Sequence, residues 1–560
     1  MLSMTARPRN AASRRSTVRH AATSATFSSG WFVGLLGGIV TTLVIAARAL
    51  LPTPIGRADD GGAIRYACQV GLVPAPGTGG ARFFDTAILS WQLDEPGTSP
   101  SCPSTPSTML WLLNALRWGA STLGSDTLDL RVLLLAYAVV AGVAVGFVMA
   151  FLRGSLRRRI ITGALLTVVL ADAAFVGYAG SLYAEAAAIL GVILLAAGAF
   201  VFGLSGRHTW LGLAICVAGG VLAAGSRTSF AHAALPAVVF LAVVGWRHHR
   251  ATPGARGVVQ RLVPAVAALA IAVPAVGVVQ GQPEDAVHVE TWDVITSKVL
   301  VGDENPGPTL YGMGFRPAVA DYAAQGGYAS GSLRETDLWE EHAGVLRPAT
   351  VWSHVLAHPG RGFTMLDGTA RAYLDARPDD LGSYTSHAQM PPRAQETRFA
   401  IASAVSGWFA GAGLAAAALI WLAVAATALV RRRQTASGTG AHSAAGTALL
   451  LLACSIVSFA AVTFEVGSAV DRAIAPASLA LMLSIVFAAA SLPGRGLPSW
   501  RRAAALAARG RVAILGAGAA LREHEEQSRQ GAETSPPHAA PATATTSPSQ
   551  VSDPQNAATR

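Results

Sequence analysis

The sequence predicts an all-α, polytopic membrane protein of about ten transmembrane helices, with large exterior loops after the first and seventh spans. Three observations predict it. The 560 residues are 52% hydrophobic and only 13% charged, with a mean hydropathy of +0.43, too apolar for a soluble chain. The apolar residues fall into separate runs, most of them long enough to cross a bilayer. Arginines cluster beside one set of run ends while the acids gather in the loops between the others, the asymmetry that orients a membrane protein. The net charge of +10 therefore reports topology rather than a phosphate-tracking face, and nucleic acid is excluded as a partner.

Residues 1–28 hold Arg7, Arg9, Arg14, Arg15 and Arg19 among Ser, Thr and Ala with no acid, and read as a disordered, basic cytoplasmic tail. Residues 29–280 form an N-terminal membrane bundle of seven spans. The first, Trp31 to about Ala47, is a retained helix, because Arg48 and Pro52 follow without a small-residue cleavage site. The exterior loop, 51–130, carries Asp59, Asp60, Asp85, Asp94, Asp126 and Asp129 among Pro, Gly and Ser. Cys68 and Cys102 both fall in it, either as a disulfide in an oxidising exterior or as two free thiols. Within the loop, Thr108–Trp118 is too short to span and has two tryptophans, which suits a helix lying in the outer interface. Spans two to seven are Val132–Leu152, Ile160–Val176, a helix from Glu185 to near Gly203, Trp210–Gly225, Phe230–Trp246 and Leu262–Val279. Pro264 and Pro274 interrupt the last, so neighbouring helices must satisfy the freed carbonyls.

Residues 281–398 are an exterior domain or an interfacial loop region, with sixteen acids against nine Lys and Arg. Its Lys298 is the only lysine in the chain. Residues 399–492 form a C-terminal bundle of three spans, within Ala402–Val430, Thr447–Thr463 and Ile474–Ala490. In 493–560, Arg501, Arg502, Arg509 and Arg511 suit a cytoplasmic juxtamembrane helix on anionic lipid. A Pro/Ala/Thr/Ser tail beyond reads as disordered. Both termini are cytoplasmic in this topology, and a multi-pass location in a bacterial plasma membrane follows.

The exterior turns gather Asp59, Asp60, Asp172, Glu185, Glu465 and Asp471 with Arg57, Arg65, Arg227 and Arg472. Arginines in short exterior turns run against the positive-inside rule and need partners, either these acids or an anionic ligand. Guanidinium binds phosphate in a bidentate fork, and a partly desolvated carboxylate can serve as a general base toward an acceptor hydroxyl. Phosphate-binding cations beside such a base at a membrane surface imply group transfer from a lipid phosphate.

Several stretches carry a family resemblance. They are the acidic pair after the first span, the interfacial helix before the second, Tyr178–Glu185, Asn305–Phe315, Ala357–Gly360, Leu381–Tyr384 and the Asp471–Arg472 turn. In this order the chain resembles the GT-C superfamily of integral membrane glycosyltransferases that use polyprenyl-phosphate sugars, and within it the bacterial S-layer-type hexose transferases. Ser383 stands where that family is expected to have Asn, and Arg472-Ala473 where Lys-His is expected. The resemblance implies a GT-C-like fold and transfer of a hexose, with inversion, from a polyprenyl-phosphate donor to a cell-envelope glycan or lipid acceptor at the outer membrane face. Asp59 or Asp60 would be the base and Arg227 and Arg472 would hold the donor phosphate. Glu185 and Tyr183 would support the base or place the acceptor, and Arg65, Tyr66 and Asp471 complete the expected substrate contacts. The resemblance names no cofactor for certain beyond the polyprenyl-phosphate sugar donor, and a divalent metal stays open with this carboxylate set.

Each residue has a plainer reading. Asp-Asp-Gly-Gly is a good turn sequence, Asp172 can pair with an arginine, Glu185 can complement a helix dipole and Arg472 can snorkel at a helix end. His354 and His358 have the i, i+4 spacing of metal ligands but lack a third ligand at a recognisable spacing. Two other functions compete. A glycan polymerase or ligase would rely on arginine and histidine in the long loop, such as Arg361 and His358. A multi-span transporter or flippase would place ionisable groups near the bilayer midplane in two similar halves.

Overall fold

The computed structural model describes residues 11–76, 78, 84–94, 102, 104–204, 208–249, 255–467 and 469–493. The chain divides into two units, Met1–Pro493 and Gly494–Arg560. The expected juxtamembrane helix and tail lie outside the described residues. Among the described residues seven helices are long and apolar enough to cross a membrane, and eight if one bent pair counts as a single span. The protein is a polytopic, all-α membrane protein with few strands.

The first span, Gly30–Leu50, starts where expected, but the helix that carries it, α1 (Ala11–Leu50), begins well before Trp31. The 11–28 segment, expected to be disordered, is helical because it has no Gly or Pro and continues an apolar helix already nucleated. Leaving α1, the loop forms α2 (Ile64–Val70), β1 (Leu72–Pro74), β2 (Ser90–Leu93), α3 (Thr108–Thr122) and β3 (Thr127–Asp129). The three strands make an antiparallel sheet in the order β1-β2-β3, with Trp91 opposite Pro74 and Leu128. Cys68 and Cys102 are joined as a disulfide, while Cys216 and Cys454 are free and buried. Trp111 and Trp118 on α3 are both exposed, as an interfacial helix requires.

The second span, α4 (Arg131–Phe151), lies against α1 along glycines. A Cβ on Gly34 would meet the Gly146 carbonyl, and one on Gly142 would meet the Gly38 carbonyl. Close packing of small residues, rather than chemistry, accounts for this stripe. The expected third span is broken into α5 (Leu156–Leu170) and α6 (Ala173–Ala179), which meet at 62°. Asp172 causes the break: its Oδ1 accepts from Ala174 N at 3.0 Å as the α6 N-cap. Its carboxylate also accepts from Ser403 N at 2.9 Å and Ser403 Oγ at 2.8 Å. Asp172 is thus a buried structural residue and not a member of the acidic site expected from sequence.

The next helix, α7 (Ala184–Phe202), is buried along nearly its whole length. The expected fifth and sixth spans appear as shorter apolar helices, α8 (Thr209–Ala224) and the Thr228–Val244 stretch formed by α9 (Thr228–Ala231) and the start of α10 (Ala234–His249). Then α11 (Ala255–Gln280) carries Pro264 and Pro274 as one continuous helix.

In the long loop, α12 (Glu284–Val294), a π turn (Ile295–Val299), α13 (Gly307–Gly312), α14 (Asp337–Glu341), α15 (Pro348–Ala357) and α16 (Pro359–Asp375) surround a second apolar core. Trp292, Phe315, Leu346 and Val351 centre it, and Phe464 joins it to the bundle. The C-terminal part is α17 (Ile401–Gly407), α18 (Gly413–Gln434), α19 (Gly440–Glu465), α20 (Val470–Ala473) and α21 (Ala475–Ser491). At the arginine-rich end, Arg158 bonds the Ala490 carbonyl and Arg431 Nε bonds the Ser491 carbonyl at 3.0 Å. The basic clusters therefore share one end of the bundle, and the long loops share the other.

Candidate active site

The segment from Gly56 to Tyr66 crosses the loop end, and its course is fixed by distant chain. Gly56 N donates to Ser383 O at 3.0 Å and Ala58 N to Gly382 O at 2.8 Å. On its other side a Cβ at Gly56 would strike the Gly180 carbonyl, so glycine allows the close approach to the α6–α7 connection. Two of the stretches that carried the family resemblance, Leu381–Tyr384 and Tyr178–Glu185, thus meet the third here. Buried Arg57 bonds Ser383 Oγ and the Ala173 carbonyl, each at 3.3 Å, and lies 5.4 Å from the Tyr178 ring centre. It anchors the segment.

The two aspartates serve different ends. Asp59 Oδ1 accepts from Gly61 N and Ala63 N, both at 2.9 Å, and forms no ion pair among the described residues. Asp60 Oδ1 accepts from Gly62 N at 2.8 Å and pairs with the Arg472 guanidinium. The backbone of Asp60 is also held, because its N–H donates to the Tyr183 hydroxyl at 2.8 Å while that hydroxyl donates to the Ala58 carbonyl at 2.9 Å. Burial raises the Asp59 carboxyl above its ordinary range, and the neighbouring Asp60 charge adds to this, against hydrogen bonds from Ala63 and Gly61. Burial also pushes Asp60 upward, but Arg472 and the Gly62 N–H outweigh it and hold that carboxyl below its ordinary range.

From Asp60 a chain of alternating charge runs through buried Arg472 and Glu185 to Arg227 and Glu290. Arg472 Nε lies 3.3 Å from Glu185 Oε1, and that oxygen accepts from Arg227 Nη1 at 2.7 Å. Arg227 Nη2 is 3.9 Å from Glu290 Oε1. The Arg472 guanidinium carbon stands 4.5 Å from the Tyr183 ring centre, a cation–π contact. Glu185 is 3% exposed and Arg472 5%, so each charge depends on its partners rather than on water.

Beside this chain is a cavity of about 220 Å³ whose wall includes Arg65, Tyr66, Arg227, Tyr328 and Glu290. Arg65 has no carboxylate partner among the described residues; its Nε donates to Gly62 O at 2.9 Å and its guanidinium is 5.5 Å from the Tyr66 ring centre. Arg227 and Arg65 are therefore the two arginines that face the cavity. Arg472, expected from sequence to touch the substrate, stands behind the wall between Asp60 and Glu185. Asp471 points elsewhere: it lines a different cavity with Asp375, Arg377 and Asp379, because adjacent helical residues diverge by about 100°.

Sequence reasoning passed over Glu290, Tyr328 and His232 in this wall. Glu290 was one acid among sixteen in its segment, and His232 sat at the start of an apolar run. Of the rival site, Arg361 is paired with Asp303 and bonds the Val299 carbonyl at 3.0 Å, and His358 Nδ1 is 3.0 Å from the His354 carbonyl. Both serve local structure. Among the described residues no group of three or more His, Cys, Asp and Glu could hold a metal ion.

Residues 24–467 match the family described as the YfdI N-terminal transmembrane domain. The chain belongs to this family. The match takes in the whole cavity wall and every member of the ionic chain except Arg472. A YfdI-type domain places the protein among membrane proteins of the glycosyltransferase type. No curated protein and no solved structure matches the chain.

Proposed function

We propose that this YfdI-type protein is a GT-C hexosyltransferase that takes a sugar from a polyprenyl-phosphate donor and passes it to a hydroxyl of a cell-envelope glycan or lipid. The observation that carries the reading is a two-arginine cavity, Arg65 and Arg227, together with the Asp59 carboxylate of the turn leading into the helix that bears Arg65; Asp59 is not itself in the cavity wall, is raised by burial and forms no ion pair among the described residues. In the reaction the acceptor O–H proton passes to the Asp59 carboxylate as its oxygen attacks the anomeric carbon. The bond from that carbon to the donor phosphate oxygen breaks, and the electron pair leaves with the polyprenyl phosphate. Arg65 and Arg227 stabilise the charge that develops there, and attack opposite the leaving group inverts the anomeric centre. Asp60, Glu185, Tyr183 and Arg472 position this apparatus without touching substrate.

The same reading sets the loop end outside a bacterial plasma membrane and the arginine-rich end, with both termini, in the cytoplasm. Ion pairs concentrated at one end of the bundle favour an enzyme over a transporter, which needs ionisable groups near the midplane.

The test is transfer from a polyprenyl-phosphate hexose by the protein in membranes. Asp59→Asn is expected to abolish it. Asp60→Asn should lower it less, since that residue acts through Arg472 and the backbone. Full activity in Asp59→Asn would remove the base assignment. Mass spectrometry of envelope glycans from a deletion strain checks the reaction class: one missing sugar supports transfer, and loss of whole chains would instead indicate a polymerase or ligase.

A further inference from the structure

The cavity wall contains a second polar feature that the transfer chemistry does not use. His232 Nε2 lies 2.8 Å from Glu465 Oε1, and both residues face the cavity with Gln282 and Thr291. Glu465 Oε2 has no protein partner among the described residues, which leaves a charged acceptor open to a ligand. Its place is fixed from behind. Lys298 Nζ donates to the carbonyls of Val462 and Thr463, both at 2.9 Å, and so holds the last turn of α19, from which Glu465 projects. Along the chain, the short helix α9 separates Arg227 from His232 by roughly 7 Å of helical rise. That spacing suits a phosphate at Arg227 and the hydroxyls of one attached sugar ring at His232.

We infer that the His232–Glu465 pair makes this cavity selective for a neutral, hydroxyl-rich sugar and against a sugar that itself bears a carboxylate. The inference rests on the reading of the cavity as the donor site. A ring hydroxyl can donate to Glu465 Oε2 in a charge-assisted hydrogen bond. A hexuronate would bring a third carboxylate against Glu465 and Glu290 in a partly enclosed space, where like charges repel most strongly. The two arginines do not offset this, because the donor phosphate and Glu185 already engage them.

The experiment measures binding by the full-length protein in lipid nanodiscs. The probes are dodecyl phosphate, a short-chain polyprenyl-phosphate hexose and the matching polyprenyl-phosphate hexuronate. The wild type is expected to prefer the hexose by at least about tenfold. Glu465→Gln, which keeps the shape and the hydrogen bond to His232, should cut that preference to about threefold or less. Its affinity for dodecyl phosphate should not change. His232→Asn should move the preference the same way, since Glu465 then loses its orienting partner. Equal binding of the two sugars by the wild type, or a preference untouched in both variants, overturns the inference while leaving the donor site standing. If dodecyl phosphate fails to bind, or binds regardless of Arg65→Ala, the donor-site reading falls and the inference with it.

Discussion

Arg472 holds two carboxylates at once, the buried Glu185 and the part-buried Asp60, and its removal is the sharpest test of the ionic chain. In Arg472→Ala, Asp60 loses its only ion-pair partner among the described residues, and Glu185, 3% exposed, keeps Arg227, which it shares with Glu290. Three acids then face one arginine. Breaking a buried pair by deleting one partner costs about 3–5 kcal/mol, because the remaining charge stays desolvated. Arg227→Ala should cost less, about 1–3 kcal/mol, since Glu185 then retains Arg472 at 3.3 Å. Thermal unfolding in detergent, followed by intrinsic tryptophan fluorescence, gives the ranking. Adding Glu185→Gln to Arg472→Ala removes one stranded charge and should recover stability, so that the double variant is more stable than the single. If Arg472→Ala unfolds within a degree of the wild type, or the second substitution lowers stability further, the chain is not the interlocked unit described.

Further expectations follow from buried groups in the loop region. Burial pushes Asp293 up to about 6, against the Gly327 N–H that its Oδ1 accepts at 2.7 Å. The folded protein then binds more protons than the unfolded chain between about pH 4 and 6, so this group's stabilisation is full below that window and lost as pH rises through 6. Asp293→Asn keeps the acceptor and should add on the order of 3 kcal/mol above pH 6, with no gain near pH 4, as read from melting curves across pH. Lys298 has the opposite sign: burial pushes it down to about 7, so stability should rise with pH from about 7 toward 10. A neutral amine still has two N–H donors for the two α19 carbonyls, and Lys298→Met should both flatten this slope and cost about 1–3 kcal/mol. Asp471→Asn, whose side chain lines a separate cavity, should leave transfer within about twofold of wild type, as measured by initial rates.

The spans were legible because hydropathy and flanking arginines are local signals. What failed needed partners distant in the chain. The bend at Asp172 depends on Ser403, which lies in the C-terminal bundle, and no window around Ile160–Val176 shows it. The small sheet has strands of three and four residues, too short for alternation to emerge from a Pro/Gly-rich loop. Asp59, Asp60, Glu185, Arg227 and Arg472 could be grouped from their side of the bundle, and they do lie close together. Which of Asp471 and Arg472 faces them could not be read, since that depends on the rotation of α20. Glu290 and Glu465 join the wall through α12 and the end of α19, placed by a second core that the sequence left as either domain or loop.

The neighbouring aspartates show why charge partners matter more than position when a base is sought. Both follow the first span and both are partly desolvated, which alone would raise either carboxyl. Asp60 gains a guanidinium and is held ionised and weakly basic, so it is poorly suited to take a proton from a hydroxyl. Asp59 gains main-chain N–H groups on one oxygen and a lesser attraction from Arg472, with which it forms no ion pair, and burial together with the adjacent Asp60 charge keeps its proton affinity high. The Arg472 pair therefore does two things: it fixes the turn, and it keeps a negative charge beside Asp59. Asp60→Asn should then lower the apparent pKa of the acidic limb of the transfer rate while leaving that limb present, whereas Asp59→Asn should leave no rate to titrate. An acidic limb unmoved in Asp60→Asn would mean that the two carboxylates do not communicate, and would return the choice of base to both.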